Sequence, residues 1–125
     1  MSGDRPSGAS HSSAERRQHV RVDIFAVTRY FDTLLKQEVG VQTRIADISE
    51  GGVLMLTFSE GVPLHTNVRL SFRLPDAEST LISVEGTIRH TNRLERDLYR
   101  SGLQFSGVDA KNLKAIRKYI SQHAK

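Results

Sequence analysis

The chain has 125 residues, 38% of them hydrophobic and 26% charged, with no cysteine and a formal net charge of +4. That length fits one domain with a core of its own, and the lack of cysteine excludes disulfides and thiolate metal sites. No apolar run approaches the ~20 residues of a membrane-spanning helix and the N-terminus has no apolar signal core, so a soluble, cytoplasmic protein without membrane insertion is expected.

In chain order, residues 1–14 are rich in Ser and Gly and almost free of apolar side chains, which predicts a disordered leader. The next stretch, Glu15-Arg16-Arg17-Gln18-His19-Val20-Arg21, packs three guanidiniums ahead of the first apolar run. Each is a planar fork of donors suited to phosphate oxygens and to the O6/N7 edge of guanine. Arg21 to Phe31 then reads as a β-strand rich in Val, Ile, Phe and Tyr. Val39, Val41, Thr43 and Ile45 alternate with Gly40, Gln42, Arg44 and Ala46, the period of a half-buried strand. Val53 to Phe58 reads as a more fully buried run, and Val68, Leu70, Phe72 and Leu74 alternate with Arg69, Ser71 and Arg73. Ile82, Val84, Gly86 and Ile88 form a fifth strand, Gly102 to Phe105 a sixth, and Asn92 to Asp97 the polar hairpin loop between them.

The period then changes. Asp109 can cap a helix, Val108 and Leu113 form a hydrophobic staple, and Leu113, Ile116 and Ile120 lie on one stripe. The fold class is therefore mainly β: a six-stranded antiparallel barrel over 22–107, closed by a C-terminal α-helix over 109–123. Phe25, Phe58, Phe72 and Phe105 are expected in the core, with no exposed apolar stripe left once the helix docks.

Two patterns bear on function. The first is the RxxxR of Arg17 and Arg21, preceded by Arg16; taken alone it also fits a solvated charge cluster. The second is Asp47-Ile48-Ser49-Glu50-Gly51-Gly52, in which Asp47, Ser49 and Gly52 spell DxSxxG; taken alone it also fits a tight Asx-type turn. As a site, Asp47 would accept the N1 and N2 hydrogens of a guanine, Ser49 would donate to a ligand oxygen, and the glycines would allow close approach.

An RxxxR segment followed by DxSxxG, within six strands and a helix, resembles the PilZ domain family. The late Gly102-Leu103-Gln104-Phe105 resembles that family's Gly-x-x-Phe strand. The resemblance runs from Glu15 to the C-terminal helix and implies a bacterial cytoplasmic receptor for cyclic di-GMP, with no cofactor besides that ligand. By position it makes Arg17 and Arg21 contacts to guanine edges and phosphates. Asp47, Ser49, Gly51 and Gly52 become the barrel side of the pocket. In the family an arginine just before RxxxR favours a stacked ligand pair, so Arg16 implies two cyclic di-GMP per protomer. His90, on the fifth strand, is a further candidate near the bases, although an outward-facing strand histidine needs no ligand to explain it. The remaining partner is an unidentified downstream protein.

No catalytic or metal site is expected. His11, His19, His65, His90 and His123 lack HxxxH or HExxH spacing, and Ser49 lacks a GxSxG elbow. The rival readings are a basic barrel for single-stranded nucleic acid and a ligand-blind adaptor. The lack of tryptophan and the 6% aromatic content argue against the nucleic-acid reading, and the intact motifs against the adaptor.

Overall fold

The computed structural model describes residues 20–124. Along the chain come β1 (Val22–Asp32), β2 (Val41–Ile48), β3 (Gly52–Phe58), β4 (Asn67–Arg73), β5 (Leu81–Glu95) and β6 (Leu98–Gly107), then one helix, α1 (Ala110–His123). Every pairing is antiparallel, and the sheet closes in the order β1-β2-β3-β6-β5-β4, with β4 returning to β1. The closing seam is short, β1 and β4 pairing only from Tyr30–Leu70 to Asp32–Val68. No helix among the described residues is long and apolar enough to cross a membrane.

Alternation builds the core. On β1, Val22, Ile24 and Ala26 point inward, and on β4 Val68, Leu70 and Phe72 do the same. They meet Ile45, Ile48, Met55, Ile82 and Ile88 from the other strands, all fully buried. Helix α1 adds Ile116, Tyr119 and Ile120 to that cluster, with Val108 and Ala115 packed at its margin. The Asp109 carboxylate accepts the Asn112 backbone N–H at 2.8 Å, ending the chain's extended course and starting the helix. That backbone hydrogen bond holds the Asp109 carboxyl below the usual carboxylate range.

Three expectations are corrected. Phe25 and Phe58 are 62% and 61% exposed, whereas Phe72 is buried and Phe105 half-buried. Phe25 is on the outward parity of β1, opposite Ile24 and Ala26, so strand geometry overrides its apolarity. Its exposed neighbour Val27 leaves an apolar row on the outer face, contrary to the expected absence of one. Residues 92–95 are not a loop: β5 runs to Glu95, and the turn is only Arg96-Asp97, with Asp97 at a φ of 62°. Pairs such as Asn92 with Arg100 and Arg93 with Tyr99 satisfy the backbone of this polar ribbon.

Candidate functional site

The two motifs meet at the junction of β1 and β2. Arg21 stands one residue before β1, and Asp47 is next to last in β2, paired in register with Asp23. Arg21 Nη1 donates to Asp47 Oδ1 at 2.6 Å, although 26 residues separate them. Their side chains are 54% and 20% exposed, so the pair contributes about 1 kcal/mol or less to folding. Its importance is positional, since it holds a guanidinium beside the DxSxxG turn.

Asp47 faces outward because β2 is bulged. With strict alternation Asp47 would share the inward face of Ile45, two residues earlier. The pairing with β3 instead steps from Ile45–Met55 to Asp47–Leu54, leaving Ala46 unmatched, and the pairing with β1 shifts over the same stretch. One extra residue re-aims the carboxylate and still returns Ile48 to the core.

The turn itself is internally tied. Ser49 is 1% exposed; its hydroxyl donates to the Gly52 carbonyl at 3.4 Å and accepts the Gly51 N–H at 3.2 Å. Its proton and a lone pair are thus engaged within the turn. Gly51 in turn accepts the Phe105 N–H at 2.8 Å, which binds the turn to β6. Gly52 is required by crowding, because a Cβ there would lie 2.0 Å from the Leu103 carbonyl oxygen. Glu50 reaches the helix: Arg117 Nε donates to its Oε1 at 2.6 Å.

A cleft of about 460 Å³ opens between this turn and the β5–β6 ribbon, lined by Arg21, Ser49 to Gly52, Arg89, His90 and Gly102 to Phe105. Its size is within the roughly 300–1,000 Å³ of small-molecule sites. His90 lies in it, its ring resting on Gly102; a Cβ at Gly102 would fall 2.1 Å from His90 Nε2. Arg89 lines it too, its Nε donating to Gln104 Oε1 at 2.6 Å. The sequence reading missed Arg89, because alternation would put adjacent residues on opposite faces. A register shift between Ile88 and His90 leaves both Arg89 and His90 exposed.

Of the expected site residues, Arg21, Asp47, Ser49, Gly51, Gly52 and His90 thus gather at one place. Arg16 and Arg17 lie outside the described residues, as does the expected leader over 1–14. What the cleft offers is a cationic rim of Arg21, backed by Asp47, and Arg89, with the Glu50 carboxylate, the His90 imidazole and a wall of backbone at glycine: recognition chemistry for a planar anionic ligand.

Comparison with known proteins adds lineage. The family model of the PilZ domain matches residues 15–122. The chain is 30% identical over 119 residues to the alginate biosynthesis protein Alg44 of Azotobacter vinelandii, covering 90% of this chain but only 28% of that protein. Among solved structures, the Bacillus subtilis inhibitor of motility MotI/DgrA superposes with a TM-score of 0.72 at 24% identity, covering 86% of this chain and 50% of the other. The PilZ domain of YcgR from Escherichia coli, solved with c-di-GMP, gives 0.60 at 14% identity, covering 86% and 91%. At these identities the structural matches speak for the fold. The chain spans about a quarter of Alg44 and half of MotI.

Proposed function

Since this chain belongs to the PilZ domain family, we propose that it is a cyclic di-GMP receptor, not an enzyme, acting in the bacterial cytoplasm. The observation that carries the reading is the Arg21–Asp47 contact, which joins the two motifs at the mouth of a cleft large enough for a ligand. Two structures of similar fold, the PilZ domain of YcgR and K. pneumonia MrkH, were solved with c-di-GMP.

In this reading Arg17 and Arg21 take guanine edges and phosphates. Asp47 takes the N1 and N2 hydrogens of a guanine, Ser49 and Gly51 fix the turn, and Gly52 sets its approach to β6. His90 and Arg89 close the opposite side. Arg16 favours a stacked pair, giving two ligands per protomer. Binding draws residues 15–21 onto the barrel and changes the surface offered to a downstream protein.

Isothermal titration with cyclic di-GMP tests the proposal. Heat should be released at micromolar protein and vanish in Arg17→Ala, and a silent wild-type titration would refute the assignment. Arg16→Ala should reduce the fitted number of ligands from about two toward one, the charge-assisted fork being lost. A wild-type value of one removes the stacked pair but not the receptor. Binding that falls steeply with salt and ignores the base would mark a nucleic-acid binder instead.

A further inference from the structure

The outward parity of β1 carries Phe25, Val27, Arg29 and Phe31 in one row. Arg44 on β2 lies opposite Val27, and Arg69 on β4 lies opposite Phe31. Phe25 and Val27 are 62% and 58% exposed. The Arg44 guanidinium sits over the Phe25 ring at 4.3 Å from its centroid, and that of Arg69 over Phe31 at 5.2 Å. Arg29 is steadied by donating to the Gly40 carbonyl at 2.8 Å. Beside Arg29 and Arg69 a second cleft of about 560 Å³ opens. From Arg21 to Phe31 is roughly 30 Å along an extended strand, so the row leads away from the Arg21–Asp47 cleft.

Asp23, at the head of the same row, lines a cavity with Phe25 and Arg44 but makes no ion pair with that arginine. Among the described residues no ion pair includes Arg29, Arg44 or Arg69, and Arg44 Nε is buried without any hydrogen-bond partner. Glu85 is the register partner of Arg69 on β5 but does not reach it, the guanidinium being drawn to Phe31 instead. The face thus joins exposed apolar side chains to guanidiniums held over aromatic rings, the composition enriched at protein interfaces.

We propose that this outer face of β1, β2 and β4 docks an acidic, apolar segment of a partner protein. Its carboxylates would engage Arg29, Arg44 and Arg69, and its apolar side chains would cover Phe25 and Val27. Three considerations select that occupant. The sheet closes into a barrel, with β1 and β4 paired over Tyr30 to Asp32, so along this row of outward side chains recognition runs chiefly through side chains. A second copy placed face to face would oppose the same arginines, on a chain whose net charge is already +4. Bases need open ring faces, and Phe25 and Phe31 each have one covered by a guanidinium, with aliphatic Val27 between.

The test is selection of binders from a random peptide display library on the purified full chain, followed by anisotropy titration of the enriched peptides. Enriched peptides should combine Asp or Glu with Leu, Val or Phe, and should perturb amide resonances of β1, β2 and β4. Affinity should fall at least about tenfold in Arg29→Glu/Arg69→Glu, with cyclic di-GMP titration unchanged in the same variant. The substituted side chains face outward, so the variant keeps its core; a matching amide spectrum away from the face checks this. The proposal is overturned if no peptides are enriched, if they are basic, or if they map to the Gly51–Gly52 cleft. Tighter binding of a single-stranded oligonucleotide or of anionic vesicles to this face than of any acidic peptide also overturns it.

Discussion

The cleft at Arg21 and the outer face at Phe25 begin four residues apart on one stretch of chain, yet they display arginine in opposite ways. In the cleft Arg21 is held by a carboxylate beside a turn whose walls are glycine and backbone. On the outer face Arg44 and Arg69 lie on aromatic rings beside exposed Val27. The first setting leaves polar donors around an open concavity, which suits a small charged ligand. The second covers apolar surface with delocalised charge, which suits a protein. The same residue type takes its role from what its guanidinium rests on.

The sharpest way to break this contrast is Gly52→Ala. Its methyl would meet the Leu103 carbonyl oxygen, a backbone atom that cannot swing aside. We expect a loss of about 3 kcal/mol in urea unfolding, together with loss of cyclic di-GMP binding. Unchanged stability would mean that the turn and β6 are less tightly joined than described. Next in size, Arg21→Ala should weaken cyclic di-GMP roughly thirtyfold while moving stability by about 1 kcal/mol or less, because its ion pair is half exposed. A loss of the peptide binding expected for the outer face in this variant would erase the distinction between the two regions.

Arg117→Ala removes the tie between Glu50 and α1, whose partners are 60% and 34% exposed. It should cost about 0.5 kcal/mol at low salt and nothing measurable at high salt, read by thermal unfolding at two ionic strengths. At Asp109 the effect is one of pH. Its carboxyl is lowered in the folded state by the Asn112 backbone bond, so its contribution is present above the ordinary carboxylate value. That contribution is lost as pH falls through the lowered value. Asp109→Asn should therefore flatten the acid limb of the stability curve, and an unchanged limb would contradict the cap. Smallest of all, Phe25→Ala should leave stability within about 0.5 kcal/mol of the parent, whereas Phe72→Ala should cost about 4 kcal/mol. Equal losses would show that Phe25 is a core residue after all.

Much of the architecture was legible in the sequence. Alternation on β4 and the inward row of β1 state which side chains are buried, and the capping Asp109 states where the helix begins. Both are local signals, repeating at a fixed period or acting within one turn. The two motifs were legible for the same reason, each being contiguous. Where local apolarity was taken for burial, at Phe25 and Phe58, the reading failed, because strand parity decides which face a side chain takes. Asn92 to Glu95 failed in the other direction: a polar ribbon holds together through cross-strand backbone bonds that composition does not announce.

The sequence by itself determined the two motifs, the strand order in time, the capped helix and the absence of cysteine chemistry. Only the tertiary structure decided that Asp47 turns out to meet Arg21, that Arg89 joins His90 at one cleft, and that Gly52 is a point of contact with β6. Each of those depends on register. A single unmatched residue, as at Ala46 or between Ile88 and His90, reverses the face of everything beyond it, and that choice is made by pairing with a distant strand.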